Sequence, residues 1–280
     1  MAPTAVSRDM ARAGEGVPAP GGTEAGALVA RAGSRTADAE GAPVETGRAG
    51  AAPVRSRRTI DATAAGVRAV NALLAGAERP AELTITDPRG AHALACGLND
   101  EVEVTIEGHV GYYCAGMNQR ATVTVHGSAG VGVAENMMSG TVRVRGDASQ
   151  SAGATAHGGL LVIDGNAGAR CGISMKGVDI VVGGDIGHMS AFMGQAGRLV
   201  VLGDAGEALG DSLYEARLYV RGRVASLGAD CVRKDMRPEH LAELAELLAA
   251  AGFDADPAEF TRYGSARELY HFHVDNANAY

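Results

Sequence analysis

The polar side chains with chemistry to offer stand in a column. His109, Ser128, Asp147, Asn166, Asp185, Asp204 and Arg223 recur at a spacing of nineteen residues. Carboxylates stacked in that way could hold a metal ion, or act as acid and base as in polysaccharide-cleaving enzymes. Each of the seven follows a glycine, however, and Asp and Asn follow glycine in turns because their side chains hydrogen-bond nearby backbone. Asp185 and Asp204 have no matching basic or aromatic groove residues, so the turn reading is the stronger one. His271 and His273 alternate on an extended tail and would point the same way, a spacing that can hold a metal, yet no third ligand accompanies them. His109, His126, His157 and His188 fall in different columns and assemble no site. Cys96, Cys114, Cys171 and Cys231 form no CxxC or CxxH pair. Cys114 and Cys171 share a column but lie three coils apart, roughly 14 Å at the stacking distance of strands, too far for a disulfide. The four thiols read as buried small hydrophobes. No nucleophile elbow, P-loop or dinucleotide fingerprint is present. The expectation is that this chain carries no catalytic, cofactor-binding or metal-binding residue.

The elements that would position these residues follow from one period. Gly108, Gly127, Gly146, Gly165, Gly184, Gly203 and Gly222 recur with no insertion, and a strict period near twenty residues marks stacked repeats. Two residues before each glycine stand Ile106, Val125, Val144, Ile163, Val182, Val201 and Val220. Four before stand Val104, Val123, Val142, Leu161, Ile180, Leu199 and Leu218. This alternation predicts one strand per repeat with an aliphatic inner face. The residues between, Thr105, Thr124, Arg143, Val162, Val181, Val200 and Tyr219, are mixed. Seven after the glycine the column holds only alanine and glycine, as expected where the chain bends into a tight interior. The GxxG turn calls for positive φ or close backbone approach at its first glycine. The predicted fold is all-β, a single-stranded right-handed parallel β-helix of about seven 19-residue coils. A rod on the order of 30 Å long would result. A left-handed hexapeptide helix would need an aliphatic residue every six positions, which is not the pattern.

Composition bounds the rest. The net charge of −8 with only two lysines, Lys176 and Lys234, argues against a nucleic-acid partner. Residues 1–57 form an Ala/Gly/Pro-rich head too poor in large apolar residues to offset the entropy of ordering, and are expected to be disordered. The head resembles neither a signal peptide nor an acid-poor transit peptide. No stretch approaches the roughly 20 apolar residues of a membrane span, so a cytoplasmic protein is expected. Residues 58–98 read as an N-terminal cap: a short strand, a helix with Val67, Val70, Leu73 and Leu74 on one face, then a strand and a Pro-Gly turn. Residues 99–236 hold the repeat. Residues 237–280 carry a capping helix with Leu241, Leu244 and Leu248 on one face, ended by Gly252, then an aromatic tail that either lies back along the helix or docks on a partner, docking being the stronger reading.

The GxxG coils resemble the GXGXG β-helix domain found at the C-terminus of the glutamate synthase large subunit and in one of the subunits of formylmethanofuran dehydrogenase. The flanks PRGAHALACGL and ELYHFHVDNANAY look like those of the stand-alone, glutamate-synthase-like subunit of N-methylglutamate synthase. The resemblance covers residues 58–280. It implies a non-catalytic scaffold joining a class II glutamine amidotransferase-like subunit to an FMN-dependent glutamate synthase-like subunit, with the FMN and iron–sulfur cluster on that partner and none on this chain. The implied reaction moves an amino or methylamino group to form glutamate or N-methylglutamate. A formylmethanofuran dehydrogenase-like subunit of one-carbon metabolism and an independent carbohydrate-active β-helix enzyme are the alternatives.

Overall fold

A computed structural model describes residues 56–77 and 81–268. The head up to residue 55, and the tail from residue 269 with His271 and His273, lie outside the described residues.

Nine strands pair in parallel in chain order: β1 (Ser56–Asp61), β2 (Ala81–Thr86), β3 (Val102–Glu107), β4 (Thr122–Val125), β5 (Thr141–Val144), β6 (Leu160–Ile163), β7 (Lys176–Val182), β8 (Ala196–Val201) and β9 (Arg217–Val220). From β3 onward the register advances by the glycine period, Val104 facing Val123, Val123 facing Val142, and so on to Leu199 facing Leu218. The fold is therefore the expected parallel β-solenoid of about seven turns. All fourteen aliphatic positions identified in the sequence are at most 2 % exposed, each contributing about 1.5–3 kcal/mol of transfer free energy. They form one continuous core with the inward column Cys114, Val133, Ala152, Cys171 and Leu209.

Two features of the coils lay beyond the sequence pattern. The ladder begins upstream of the glycine column, because β1 and β2 stack in parallel beneath β3, with Ile60 facing Ile85 and Ile85 facing Ile106. The longer spacing from Ile85 to Ile106, and Asp87–Pro88 in place of the corner glycine, hid this coil. Beyond the main strand, the second and third sides of each coil carry little ladder. The second survives as a single-residue bridge column from Val110 through Ala129, Ala148, Ala167, Ile186 and Ala205 to Val224. The third is replaced by left-handed residues at alternate positions, such as Tyr113, Ala115 and Met117 with φ of 58°, 54° and 55°. The backbone there still bonds between coils in alternate directions: Tyr113 N–H donates to Val131 O at 2.9 Å, Ala115 N–H to Leu94 O at 2.9 Å, Met117 N–H to Glu135 O at 2.8 Å. Stacking thus satisfies loop polar groups that would otherwise need water.

The corner glycines are required by proximity. Gly127, Gly146, Gly165, Gly184, Gly203 and Gly222 all have ordinary φ, and only Gly108 is positive. A Cβ at Gly184 would stand 2.2 Å from Asn166 Oδ1, and one at Gly222 would stand 2.3 Å from Gly203 O. Positive φ lies instead in the small-residue column, at Ala115, Ala134, Gly153, Gly172, Ala191 and Gly210.

The flanks close the two ends. At the start, α1 (Ala62–Ala65) and α2 (Val67–Ala75) follow β1. Val70 and Leu74 of α2 are buried and Val67 packs on the core, whereas Leu73 faces outward. At the far end come β10 (Cys231–Lys234), α3 (Pro238–Ala251), a single 3-10 turn at Pro257–Glu259 and β11 (Thr261–Ser265). The start of the aromatic tail is thus a strand: β11 runs antiparallel to both β9 and β10, which covers the exposed edge that a solenoid must manage.

Helix α3 lies across the outside of the sheet. The mixed outward column turns apolar from β6 onward, and Val162, Val181, Val200 and Tyr219 form a second core with Leu244, Leu247, Leu248 and Ala251. The helical face is therefore rotated from the expected Leu241–Leu244–Leu248 stripe toward Leu247, with Leu241 only half-buried. Where the helix stops, Gly252 adopts φ 74° and its N–H bonds Ala249 O and Leu248 O. Arg143, on β5, donates to Ala251 O at 2.8 Å and to Asp164 Oδ1 at 2.6 Å, placing a cation at the negative end of the helix dipole.

Candidate functional surfaces

The polar column that could have been a site is a hydrogen-bond ladder. His109 Nδ1 accepts from Ser128 N–H at 2.9 Å, Ser128 Oγ from Asp147 N–H at 3.2 Å, and Asp147 Oδ1 from Asn166 N–H at 2.7 Å. Asn166 Oδ1 then accepts from Asp185 N–H at 2.8 Å, Asp185 Oδ1 from Asp204 N–H at 2.7 Å, and Asp204 Oδ1 from Arg223 N–H at 2.8 Å. Each side chain satisfies the corner amide of the next coil, one period away. The turn reading holds, with the partner lying in the neighbouring coil where a local backbone group was expected. Asp204 is further held below the usual carboxylate range, first by the Arg223 N–H and then by the Arg223 guanidinium. A carboxylate engaged in this way accepts hydrogen bonds and is poorly placed to take a proton.

Other titratable groups are likewise committed to structure. His126 meets Glu107 at 3.1 Å, and His92 Nδ1 accepts from Tyr112 N–H at 2.9 Å. Among the described residues no three His, Cys, Asp or Glu side chains converge on a metal-sized site. All four cysteines are free. Burial pushes the Cys171 and Cys231 thiols up to about 12 and Cys114 higher still, so at neutral pH they are inert thiols. Cys96 is half-buried and donates to Tyr113 O at 2.7 Å, and burial raises it too. Beneath α3, Glu243 receives both the Tyr219 hydroxyl and the Arg217 guanidinium. Burial acts to raise Glu243, but these two donors outweigh it and its pKa is lowered.

Of the exposed large apolar side chains among the described residues, the four most exposed form a ridge on two adjacent coils near the start of the solenoid. Tyr112, Tyr113, Met117 and Met138 are 50 %, 48 %, 54 % and 41 % exposed. The Tyr112 ring stacks on His92 with centroids 4.5 Å apart. Glu135 stands beside Tyr113, both lying within 3 Å of where a Cβ on Gly132 would be, and burial raises its carboxyl pKa. The ridge is hidden in the sequence because its members occupy several columns: Tyr112, Tyr113 and Met117 share one coil, with Met117 on a left-handed turn, and Met138 lies in the next. The available signal was YY and MM in a chain with only four phenylalanines and no tryptophan.

No helix among the described residues is long and apolar enough to cross a membrane. A comparison with protein-family models gives no match. Among curated proteins the chain is similar to Protein GlxC of Rhizobium meliloti (strain 1021), with 64% identity over 197 residues, covering 70% of this chain and 86% of that protein. On that identity and coverage the chain belongs to the GlxC family.

Proposed function

We propose that this chain is a non-catalytic scaffold subunit of a glutamate-synthase-like complex, of the N-methylglutamate synthase type. A class II glutamine amidotransferase-like subunit would release the amino group. An FMN-dependent, iron–sulfur-bearing synthase-like subunit would complete its transfer, or that of a methylamino group, to give glutamate or N-methylglutamate. The observation that carries this reading is the fate of the polar column: its acids are spent on the amides of neighbouring coils, leaving a rod whose side chains hold its own shape. The Tyr112, Tyr113, Met117 and Met138 ridge supports it, since exposed aromatic and methionine side chains are enriched where proteins dock. So does the resemblance of the GxxG coils and both flanks to the stand-alone glutamate-synthase-like subunit.

Co-expression with the products of neighbouring genes tests the proposal. The chain should be colourless and inactive alone, and should co-purify with a flavoprotein and an amidotransferase. Turnover by the isolated chain, or a flavin spectrum belonging to it, would refute the reading. Substituting Tyr112 and Met117 by serine should release the partners while leaving the circular dichroism of the chain unchanged.

A further inference from the structure

The cations at the C-terminal end of the solenoid are arranged differently from the others. Among the described residues most arginines meet a carboxylate, as Arg198 does with Asp179 at 2.5 Å and Arg120 with Asp100 at 3.1 Å. At the far end, Arg217, Lys234, Arg237, Arg262 and Arg267 line a cleft of about 260 Å³ together with Glu215. Arg217 is matched by Glu243 and Arg267 by Glu215 at 2.9 Å, while Arg237 has Glu239 at 3.7 Å. Lys234 and Arg262 have no carboxylate partner among the described residues. Arg262 spends its Nε on Asp235 O at 3.0 Å, leaving both terminal nitrogens to donate.

These two unmatched cations are also direct cross-strand neighbours, Lys234 of β10 facing Arg262 of β11. Like charges set opposite one another in a sheet are destabilising. Next to them the sheet has a hole: Gly264 faces Val232, two residues back from the Lys234–Arg262 pair. A Cβ on Gly264 would meet Lys234 Cγ at 3.6 Å, so even a small side chain would begin to fill the floor. A second hollow of about 470 Å³ shares Lys234 and Arg262 and adds Asp235 and Arg233; Arg233 also has no carboxylate partner among the described residues. Burial first and the Arg262 charge second hold nearby His240 below the ordinary imidazole range, a sign that this positive field reaches its surroundings.

We propose that this cleft, between β9, the paired strands β10 and β11, and the start of α3, binds a small multivalent oxyanion, either a phosphate ester or a di- or tricarboxylate. Such an anion neutralises the Lys234–Arg262 pair, takes bidentate hydrogen bonds from the free guanidinium edge, and fits over a floor that has no side chain. The proposal does not depend on the role in a complex proposed above.

Calorimetric titration of the full chain with sodium pyrophosphate and with sodium citrate, against sodium chloride at matched ionic strength, tests it. Saturable one-to-one binding of at least one probe is expected, weakening with added salt. Pyrophosphate alone would identify a phosphate site, and citrate alone a polycarboxylate site. K234Q and R262Q should each weaken binding about tenfold or more, the loss expected for one charged hydrogen-bond partner. Gly264→Val removes no charge and suits a strand, so it should abolish binding by filling the floor while leaving the melting temperature unchanged. Arg58→Gln, an exposed cation at the other end, should have no effect. Absence of binding by both probes, or equal weakening by Arg58→Gln and R262Q, would overturn the proposal. Binding of polyglutamate but of neither small anion would also overturn it, making the cleft a surface for an acidic protein segment.

Discussion

Replacing Gly203 with alanine isolates the reason for the glycine column. Its φ is ordinary, so alanine meets no conformational objection. The new Cβ would nevertheless stand 2.2 Å from Asp185 Oδ1 and 2.6 Å from the carbonyl carbon and oxygen of Gly184. The Asp185 carboxylate can turn away, at the cost of the 2.7 Å bond it accepts from Asp204 N–H, about 1.5 kcal/mol for a charge-assisted bond. The Gly184 backbone cannot turn, and prising two coils apart costs a further 1–3 kcal/mol, roughly, as overpacking does elsewhere. The expected total is about 2.5–4.5 kcal/mol, or a melting temperature lower by about 10 °C in a chain of this size. Gly252→Ala is the control, because its φ is 74° but its Cβ would find only Arg143 Nη1 at 3.7 Å, for a purely conformational cost of about 1–2 kcal/mol. Urea unfolding followed by far-UV circular dichroism suits a protein with no tryptophan. The double variant with Asp185→Ala should be no less stable than Gly203→Ala alone, because both changes forfeit the same bond. If Gly203→Ala proves no more costly than Gly252→Ala, close approach is not what keeps glycine at the corner.

Three further outcomes are expected. Leu244→Ala should cost about 2–5 kcal/mol by opening the second core, whereas Leu241→Ala, at a half-buried position, should cost only about 1 kcal/mol; the same unfolding curves compare them. Glu243 has a folded pKa below its ordinary 4.5, so its contribution is complete above that value and is lost as pH falls through the folded one. The urea midpoint should therefore drop on acidification below about pH 4.5, and Glu243→Gln should flatten that part of the curve. A thiol reagent should titrate Cys96 alone in the native protein, slowly and faster as pH rises, and all four cysteines in denaturant, since burial raises every thiol and encloses the other three. Rapid native labelling of a second cysteine would contradict the packing of the inner column.

Much of this was legible in the chain because a solenoid is nearly one-dimensional. Each coil repeats the last, so alternation before the glycine was enough to identify every strand from β3 to β9 and all fourteen inward residues. The same regularity concealed what departs from it. The coil at β2 lacks the glycine and has a longer spacing, and β11 lies in a segment whose pairing with β9 depends on strands forty residues away. The outward column carried a partial signal: Val162, Val181, Val200 and Tyr219 are apolar where Thr105, Thr124 and Arg143 are not, and that change marks where α3 lies.

The period, the inner core and the absence of any insertion among the coils were written in the chain, because they depend on residue types repeated at a fixed spacing. What each repeated residue does was settled only by stacking. The corner glycines are demanded by the neighbouring coil, and the column of acids accepts from that coil's amides. Lys234 comes to stand opposite Arg262 around the gap left by Gly264. These are contacts between residues about nineteen or more positions apart, and only their arrangement in space brings them within reach of one another.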